Sequence, residues 1–275
     1  MTYLNSYATM RSPSILSNHP EPVAIKLEDG LRQYYFRGFY DHDVLFGHYD
    51  TFDLQRKPLD FTSRDVYLPL EQRIPGLRFS SLRQVHGTQI RKIERTSIPF
   101  ENHGEGDALY TDQILQALTI RTADCLPLFL YSQDFILAAH IGYRGLLDGI
   151  LEQIEYEINL IPGQTWFAAI GPHIQSCCFE ARDQVLKEFE SFELCSTHAI
   201  MGPPASRFIS LKSMVQRWFQ DFGSDRMCFD FSTCTFCHVD FHSYRRSRTP
   251  FRQGNLIVRI PDLENILKAP PSKLE

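Results

Sequence analysis

Three short runs of the chain are apolar at almost every position: Leu126–Tyr131, Phe135–His140 and Trp166–Ile170. A strand with one wet face alternates polar and apolar residues, whereas a run without alternation is covered on both faces. Each run is bounded by turn formers, namely Ser132-Gln-Asp134, Gly142 and Gly171-Pro172. Buried strands are therefore expected, and the short gap between the first two predicts a hairpin.

Helical periodicity supplies the layers that would cover such strands. Leu147, Ile150, Leu151, Ile154 and Ile158 form one apolar stripe between Gly145 and Pro162-Gly163. Leu211, Met214, Val215, Trp218 and Phe219 repeat the spacing behind Ser210, an N-cap candidate. A shorter stripe, Val185, Leu186, Phe189 and Phe192, follows Asp183. Strands and helices mix without strict β-α-β alternation. The expected class is α/β in the broad (α+β) sense: a layered β-sheet core flanked by helices, rather than a doubly wound parallel sheet.

Composition bounds the function. With 43% hydrophobic and 22% charged residues, the 275-residue chain excludes a fibre, a coiled coil and a disordered tail protein. Its 28 basic residues against 33 acidic ones give a net charge of −5, which disfavours a nucleic-acid binder. No apolar stretch approaches the ~20 residues of a membrane helix, and the first residues lack an apolar h-region. A soluble, cytoplasmic protein is expected. No repeat is detectable, and residues 1–275 read as one domain, with the polar, proline-bearing stretch 1–24 as an irregular arm and 269–275 as a frayed tail.

Seven cysteines (125, 177, 178, 195, 228, 234 and 237) without an export signal point to reduced thiols or a metal site, not to a disulfide framework. Cys177-Cys178 is vicinal and reads as packing. Cys234-Thr-Phe-Cys237-His238 matches the c-type haem pattern. That attachment belongs to exported proteins, so the match is read as fortuitous, and these residues are not expected to hold a catalytic metal. His103-Gly-Glu105 resembles the start of a zinc deaminase signature but lacks the Pro-Cys-x-x-Cys that completes it. No glycine-rich phosphate loop supports a nucleotide cofactor.

His86 lies in Arg83-Gln-Val-His-Gly87, Cys125 in Arg121-Thr-Ala-Asp-Cys125, and His140 at the end of the second apolar run. A hairpin would bring Cys125 and His140 together. By spacing alone the set could be a buried thiol with a satisfied histidine, a metal centre, or a cysteine–histidine nucleophile pair.

Five ordered segments carry a resemblance. They are Gln84-Val-His-Gly87, Gly106-Asp-Ala-Leu-Tyr-Thr-Asp112, Arg121-Thr-Ala-Asp-Cys-Leu-Pro-Leu128, Ala138-Ala-His-Ile-Gly-Tyr-Arg-Gly145, and Ser243-Tyr-Arg-Arg246 with Arg252-Gln253. Together with Ile170-Gly-Pro-His-Ile174 running on to Phe179-Glu180, they resemble the laccase-domain family, once called multicopper polyphenol oxidases and linked to purine nucleoside phosphorylase activity. The resemblance spans roughly residues 80–260 and is poor over the first 75. It implies an α/β fold similar to the catalytic domains of cytotoxic necrotizing factors, and a zinc held by His86, Cys125 and His140.

The implied chemistry is phosphorolysis of adenosine, inosine or methylthioadenosine, with adenosine deamination beside it. Asp124 and Arg144 are the catalytic candidates; Gln84, Tyr143, His242, Arg245 and Arg246 are the substrate-binding ones. Two departures bear on specificity. Ile141-Gly-Tyr143 stands where the family has Ala-Gly-Trp, and His242 replaces the second aromatic of Phe-Phe-Ser-Tyr-Arg. Ten histidines without a His-x-His pair disfavour a multicopper oxidase, although copper should bind this donor set in vitro.

The alternatives are a cysteine hydrolase, with Cys125 as nucleophile and His140 as base, editing cell-wall precursor peptides, and a non-catalytic metal-binding partner protein. The expected partners are a purine nucleoside and phosphate, without nucleic acid or membrane, and a homodimer is compatible with this reading.

Overall fold

The computed structural model describes residues 24–28, 33–39, 43–49, 57–195, 199–203, 206–222, 227–230 and 233–268. The arm expected at 1–24 falls outside these residues except for Ala24, and the tail 269–275 falls outside them entirely. In chain order the strands are β1 (Ala24–Glu28), β2 (Gln33–Phe39), β3 (Val44–Tyr49), β4 (Arg78–Arg83), β5 (Ile90–Lys92), β6 (Phe100–Glu105), β7 (Ala108–Thr111) and β8 (Gln116–Thr122). They continue as β9 (Leu126–Tyr131), β10 (Ile136–Ile141), β11 (Phe167–Ile170), β12 (Glu180–Ala181), β13 (Ile200–Met201), β14 (Arg207–Ile209), β15 (Met227–Asp230) and β16 (Gln253–Arg259).

The three apolar runs become β9, β10 and β11, three neighbours in one six-stranded sheet of order β15-β11-β9-β10-β7-β5. β9 and β10 form the expected hairpin, with Leu126 opposite Ile141 and Pro127 opposite His140. A seven-stranded sheet, β1-β2-β3-β16-β8-β4-β6, packs against it, and β12-β14-β13 form a small third sheet. Strand alternation divides the apolar residues between two layers. Phe129, Tyr131, Ile136 and Ala138 meet Phe46, Ile120 and Ile257 between the large sheets. Leu128, Leu130, Leu137 and Ala139 face the opposite way, toward the helices.

Those helices are α2 (Tyr143–Leu147), α3 (Ile150–Asn159), α4 (Asp183–Glu190) and α5 (Leu211–Asp221). They follow α1 (Leu68–Arg73), which packs on the outer face of the seven-stranded sheet. Ser210 caps α5 as expected, accepting from the Ser213 N–H, and all five residues of its stripe are buried. The stripe through Leu147 and Ile158 is split, because Gly149 takes φ +93° and ends one helix before the next begins. Arg144 consequently lies in a helix and not in an open turn. The short helices α6 (Tyr244–Ser247) and α7 (Leu263–Lys268) flank β16. The layers run helix, sheet, sheet, helix. Among the described residues no helix is long and apolar enough to cross a membrane.

Candidate metal centre

Two connections and one strand end deliver the three ligand candidates to one end of the paired sheets. His86 sits in the loop between β4 and β5, Cys125 in the tight turn between β8 and β9, and His140 near the end of β10. Their ligand atoms lie within 4.8 Å of one another. The two imidazoles meet edge to face, with ring centres 4.8 Å apart. His140 is buried, Cys125 half-buried and His86 exposed, so the trio opens to solvent on the His86 side.

Gly142 makes this approach possible. A Cβ there would stand 2.9 Å from His86 Cδ2 and 3.4 Å from Cys125 Sγ. Gly145 does the same for the His86 loop, where a Cβ would fall 2.7 Å from the Gly87 carbonyl.

Asp107 organises the trio, and the ligand candidates alone do not reveal it. Fully buried, its carboxylate accepts from the backbone N–H groups of Val85, His86 and Gly87 at 3.2, 3.0 and 2.8 Å. Its Oδ1 is also 2.8 Å from His140 Nδ1. Burial raises its pKa, but the His140 hydrogen bond and charge and the backbone donors outweigh burial and hold the carboxyl below its ordinary value. Burial likewise opposes the Cys125 thiolate, yet the His140 charge and hydrogen bonds from both histidines bring the thiol down to about 6. For His140, burial favours the neutral ring, and the Cys125 and Asp107 charges win, raising it to about 9. An ionisable thiolate between two imidazoles, one anchored by a carboxylate through its other nitrogen, is a donor set that suits zinc or copper.

A cleft of about 930 Å3 opens above the trio. Six arginines line it: Arg121, Arg144, Arg182, Arg245, Arg248 and Arg252. Among the described residues none of the six has a carboxylate within ion-pair distance. Ile174, Phe179, Val185 and Leu211 make an apolar wall, with Tyr143 beside them. A chain of net negative charge has thus gathered six arginines around one concave surface.

Of the residues singled out from the sequence, His86, Cys125, His140, Gln84, Asp124, Tyr143, Arg144 and Arg245 line this cleft. Arg144 Nε donates to the Tyr143 hydroxyl at 3.1 Å. Gln84 is committed to the backbone of Arg121, donating to its carbonyl and accepting from its N–H at 2.7 and 2.8 Å. Asp124 adopts φ +89°, and its two oxygens accept from Thr235 Oγ1 (2.7 Å) and the Arg245 N–H (2.6 Å). It positions the Cys125 turn.

Two expected substrate contacts lie off the cleft lining. The Arg246 guanidinium donates to the carbonyls of Thr235, Phe236, His238 and Phe241, clamping a loop. His242 is buried against Phe251, with ring centres 5.7 Å apart, and its N–H donates to Gln253 Oε1. In place of these two, Arg121, Phe179, Arg182, Tyr244, Arg248 and Arg252 were missed as cleft residues. Among them Arg121, Phe179, Tyr244 and Arg252 stand in the segments that carry the family resemblance, and Arg182 and Arg248 do not.

The layered sheets and this cleft define a mixed α/β protein with a His–Cys–His centre at the rim of its central sheets. The chain belongs to the family described as multi-copper polyphenol oxidoreductase laccase, which residues 68–260 match. A relative from Aquifex aeolicus (strain VF5), named purine nucleoside phosphorylase, is 26% identical over 199 residues, covering 72% of this chain and 85% of the relative. Purine nucleoside phosphorylase YfiH of Escherichia coli (strain K12) is 27% identical over 179 residues, 64% of this chain and 72% of that one.

Two solved structures share the fold at 21% identity. The Bacillus licheniformis hypothetical protein YfiH gives a TM-score of 0.71 over 84% of this chain and 99% of its own. YlmD from Geobacillus stearothermophilus gives 0.68 over 86% and 100%.

Proposed function

We propose that this chain is a zinc-dependent purine nucleoside phosphorylase, acting on adenosine, inosine or methylthioadenosine, with adenosine deamination as a second activity. The observation that carries the reading is the convergence of His86, Cys125 and His140 beneath a cleft lined by six arginines that have no carboxylate within ion-pair distance among the described residues. The names of its relatives supply the substrate class. When bound, a zinc ion in a three-ligand centre supplies Lewis acidity at an open coordination position.

The chain's own residues do the rest. Phosphate must be held with its charge partly neutralised, and a guanidinium grips its oxygens through a planar fork. Arg144, four residues beyond His140 in the first turn of α2, and Arg245, over Phe179 with 5.5 Å to the ring centre, are the candidates for this. Tyr143 and Phe179, with rings 6.5 Å apart, offer aromatic surface to a purine. Asp107 holds the His140 ring in one orientation. The test is turnover of each nucleoside with and without phosphate, on protein of measured metal content. Phosphate-dependent release of free base is expected; base release that ignores phosphate, or none from any purine nucleoside, overturns the reading.

A second reading has its own observation. Cys125, His140 and Asp107 also stand in the order of a nucleophile, a base and an orienting carboxylate, which is the arrangement of a cysteine hydrolase. Metal content separates the two, since a thiolate committed to zinc resists alkylation. Metal-free protein with a readily alkylated Cys125 would favour the hydrolase.

A further inference from the structure

We propose that Cys177, Cys178, Cys234 and Cys237 form a second metal site, a closed four-thiolate centre for zinc that braces the catalytic turn. Their sulfurs lie within 4.8 Å of one another, with Cys237 Sγ 3.3 Å from Cys178 and 3.8 Å from Cys177. Four thiolates about 2.3 Å from a tetrahedral zinc would be separated by roughly 3.8 Å. The two Cys237 separations are therefore close to those of a zinc tetrahedron, and well beyond a covalent S–S bond of about 2.05 Å.

Packing, the role expected for Cys177-Cys178, does not account for this arrangement. Cys177 and Cys237 are exposed and Cys178 is half-buried; only Cys234 is hidden. A small hydrophobe gains nothing from convergence at the surface, whereas metal ligands must converge. The Gln175 N–H donates to Cys234 Sγ at 3.5 Å, and the backbone amides of Cys237 and Phe236 also favour its thiolate, so the turn Cys234-Thr-Phe-Cys237 suits a thiolate. Its C-x-x-C spacing is that of structural zinc ligands, and the histidine that completed the haem pattern is unnecessary.

The two segments meet through backbone contacts. His173 and Cys234 form a parallel bridge, with the His173 N–H on the Thr233 carbonyl and the Thr235 N–H on the His173 carbonyl. Both segments also grip Asp124. The Ile174 N–H donates to its carbonyl at 2.9 Å and Thr235 Oγ1 to its carboxylate at 2.7 Å. Asp124 precedes Cys125 and holds a positive φ, so a metal locking residues 174–178 to 234–237 would stabilise the turn that presents a ligand to the first centre. The two centres share no residue.

The test is native mass spectrometry and elemental analysis of full-length protein expressed with zinc and purified anaerobically without chelator. Wild type should hold about two zinc ions per chain, and Cys237→Ser and Cys125→Ser about one each. Cobalt-loaded Cys125→Ser should show the charge-transfer and ligand-field bands of a tetrahedral thiolate centre, lost when Cys237→Ser is added. Should Cys237→Ser fail to fold, Cys177→Ser, at an exposed position, should still release its second zinc to a chelator faster than wild type.

Wild type carrying a single zinc that vanishes in Cys125→Ser would overturn the proposal. So would finding these four sulfurs in disulfides in the anaerobic protein. A single zinc retained by Cys125→Ser would uphold this site and remove the metal from the first centre, so the two readings fail separately.

Discussion

Asp107 holds His140 by both its backbone and its side chain: the Asp107 carbonyl accepts the His140 N–H at 2.7 Å, and Asp107 Oδ1 lies 2.8 Å from His140 Nδ1. The second contact engages one ring nitrogen and leaves Nε2 for the Cys125 side. The same carboxylate collects three N–H groups of the His86 loop, so one buried anion sets two of the three ligand candidates.

Asp107→Asn keeps the shape and removes the charge. Metal affinity, measured by chelator competition, should fall about 10- to 100-fold, as is usual when the partner of a ligating histidine is lost. An unchanged affinity would mean that the carboxylate serves only the loop.

Gly142→Ala places a methyl group 2.9 Å from His86 Cδ2. The imidazole must move, and misplacement by ~1 Å can cost about 10²-fold in rate. Thermal unfolding should change little, because His86 is exposed and free to yield. A large loss of stability with normal activity per folded molecule would contradict this.

Arg144→Lys retains the positive charge but loses the planar fork. Phosphorolysis should fall by about 10- to 150-fold, the equivalent of 1.5–3 kcal/mol, while deamination falls less. Had Arg144 braced its helix through a carboxylate, both activities would fall together with stability, but no such partner stands among the described residues. Parallel steady-state rates on one preparation decide the matter.

His242 ties acid sensitivity to a single departure from the family pattern. Burial first, then the Arg252 and Arg246 charges, push its pKa down to about 4 from the usual 6.5. Below pH 6.5 the unfolded chain takes up a proton that the folded chain refuses until about pH 4. Stability is therefore full above pH 6.5 and declines as pH falls through that window. Burial lowers His103 and His173 too, adding to the same slope. His242→Phe should recover on the order of 1 kcal/mol at pH 5 relative to pH 7.5, read from urea unfolding at the two values. Equal slopes in the two proteins would exclude His242 as the source.

The strands at the centre of the fold are legible because they are covered on both sides. β9, β10 and β11 lie within a residue of the apolar runs, and α5 buries the stripe its spacing marks, behind the cap its serine announces. β16 and β8 left no such trace. Gln253, Asn255, Gln116 and Thr119 are buried polar residues within them, each hydrogen-bonded to a residue outside its own strand, and polar residues interrupt a hydrophobic pattern wherever the partners are distant in sequence.

The break at Gly149 was equally hidden, since a glycine inside an apolar stripe can be a tolerated helix residue or a left-handed stop.

The sequence by itself determined the layered class, the hairpin and the identity of three ligand candidates, because local patterns and ordered motifs carry that information. Only the tertiary structure decided which other residues share their space. Asp107 becomes an organiser, Asp124 a turn anchor and Arg246 a loop clamp through partners that are mostly far along the chain. Four cysteines read separately as packing and coincidence converge because a parallel bridge joins residues about sixty positions apart. Spacing along a chain specifies neighbours in a turn, and hydrogen bonds between non-neighbours specify a site.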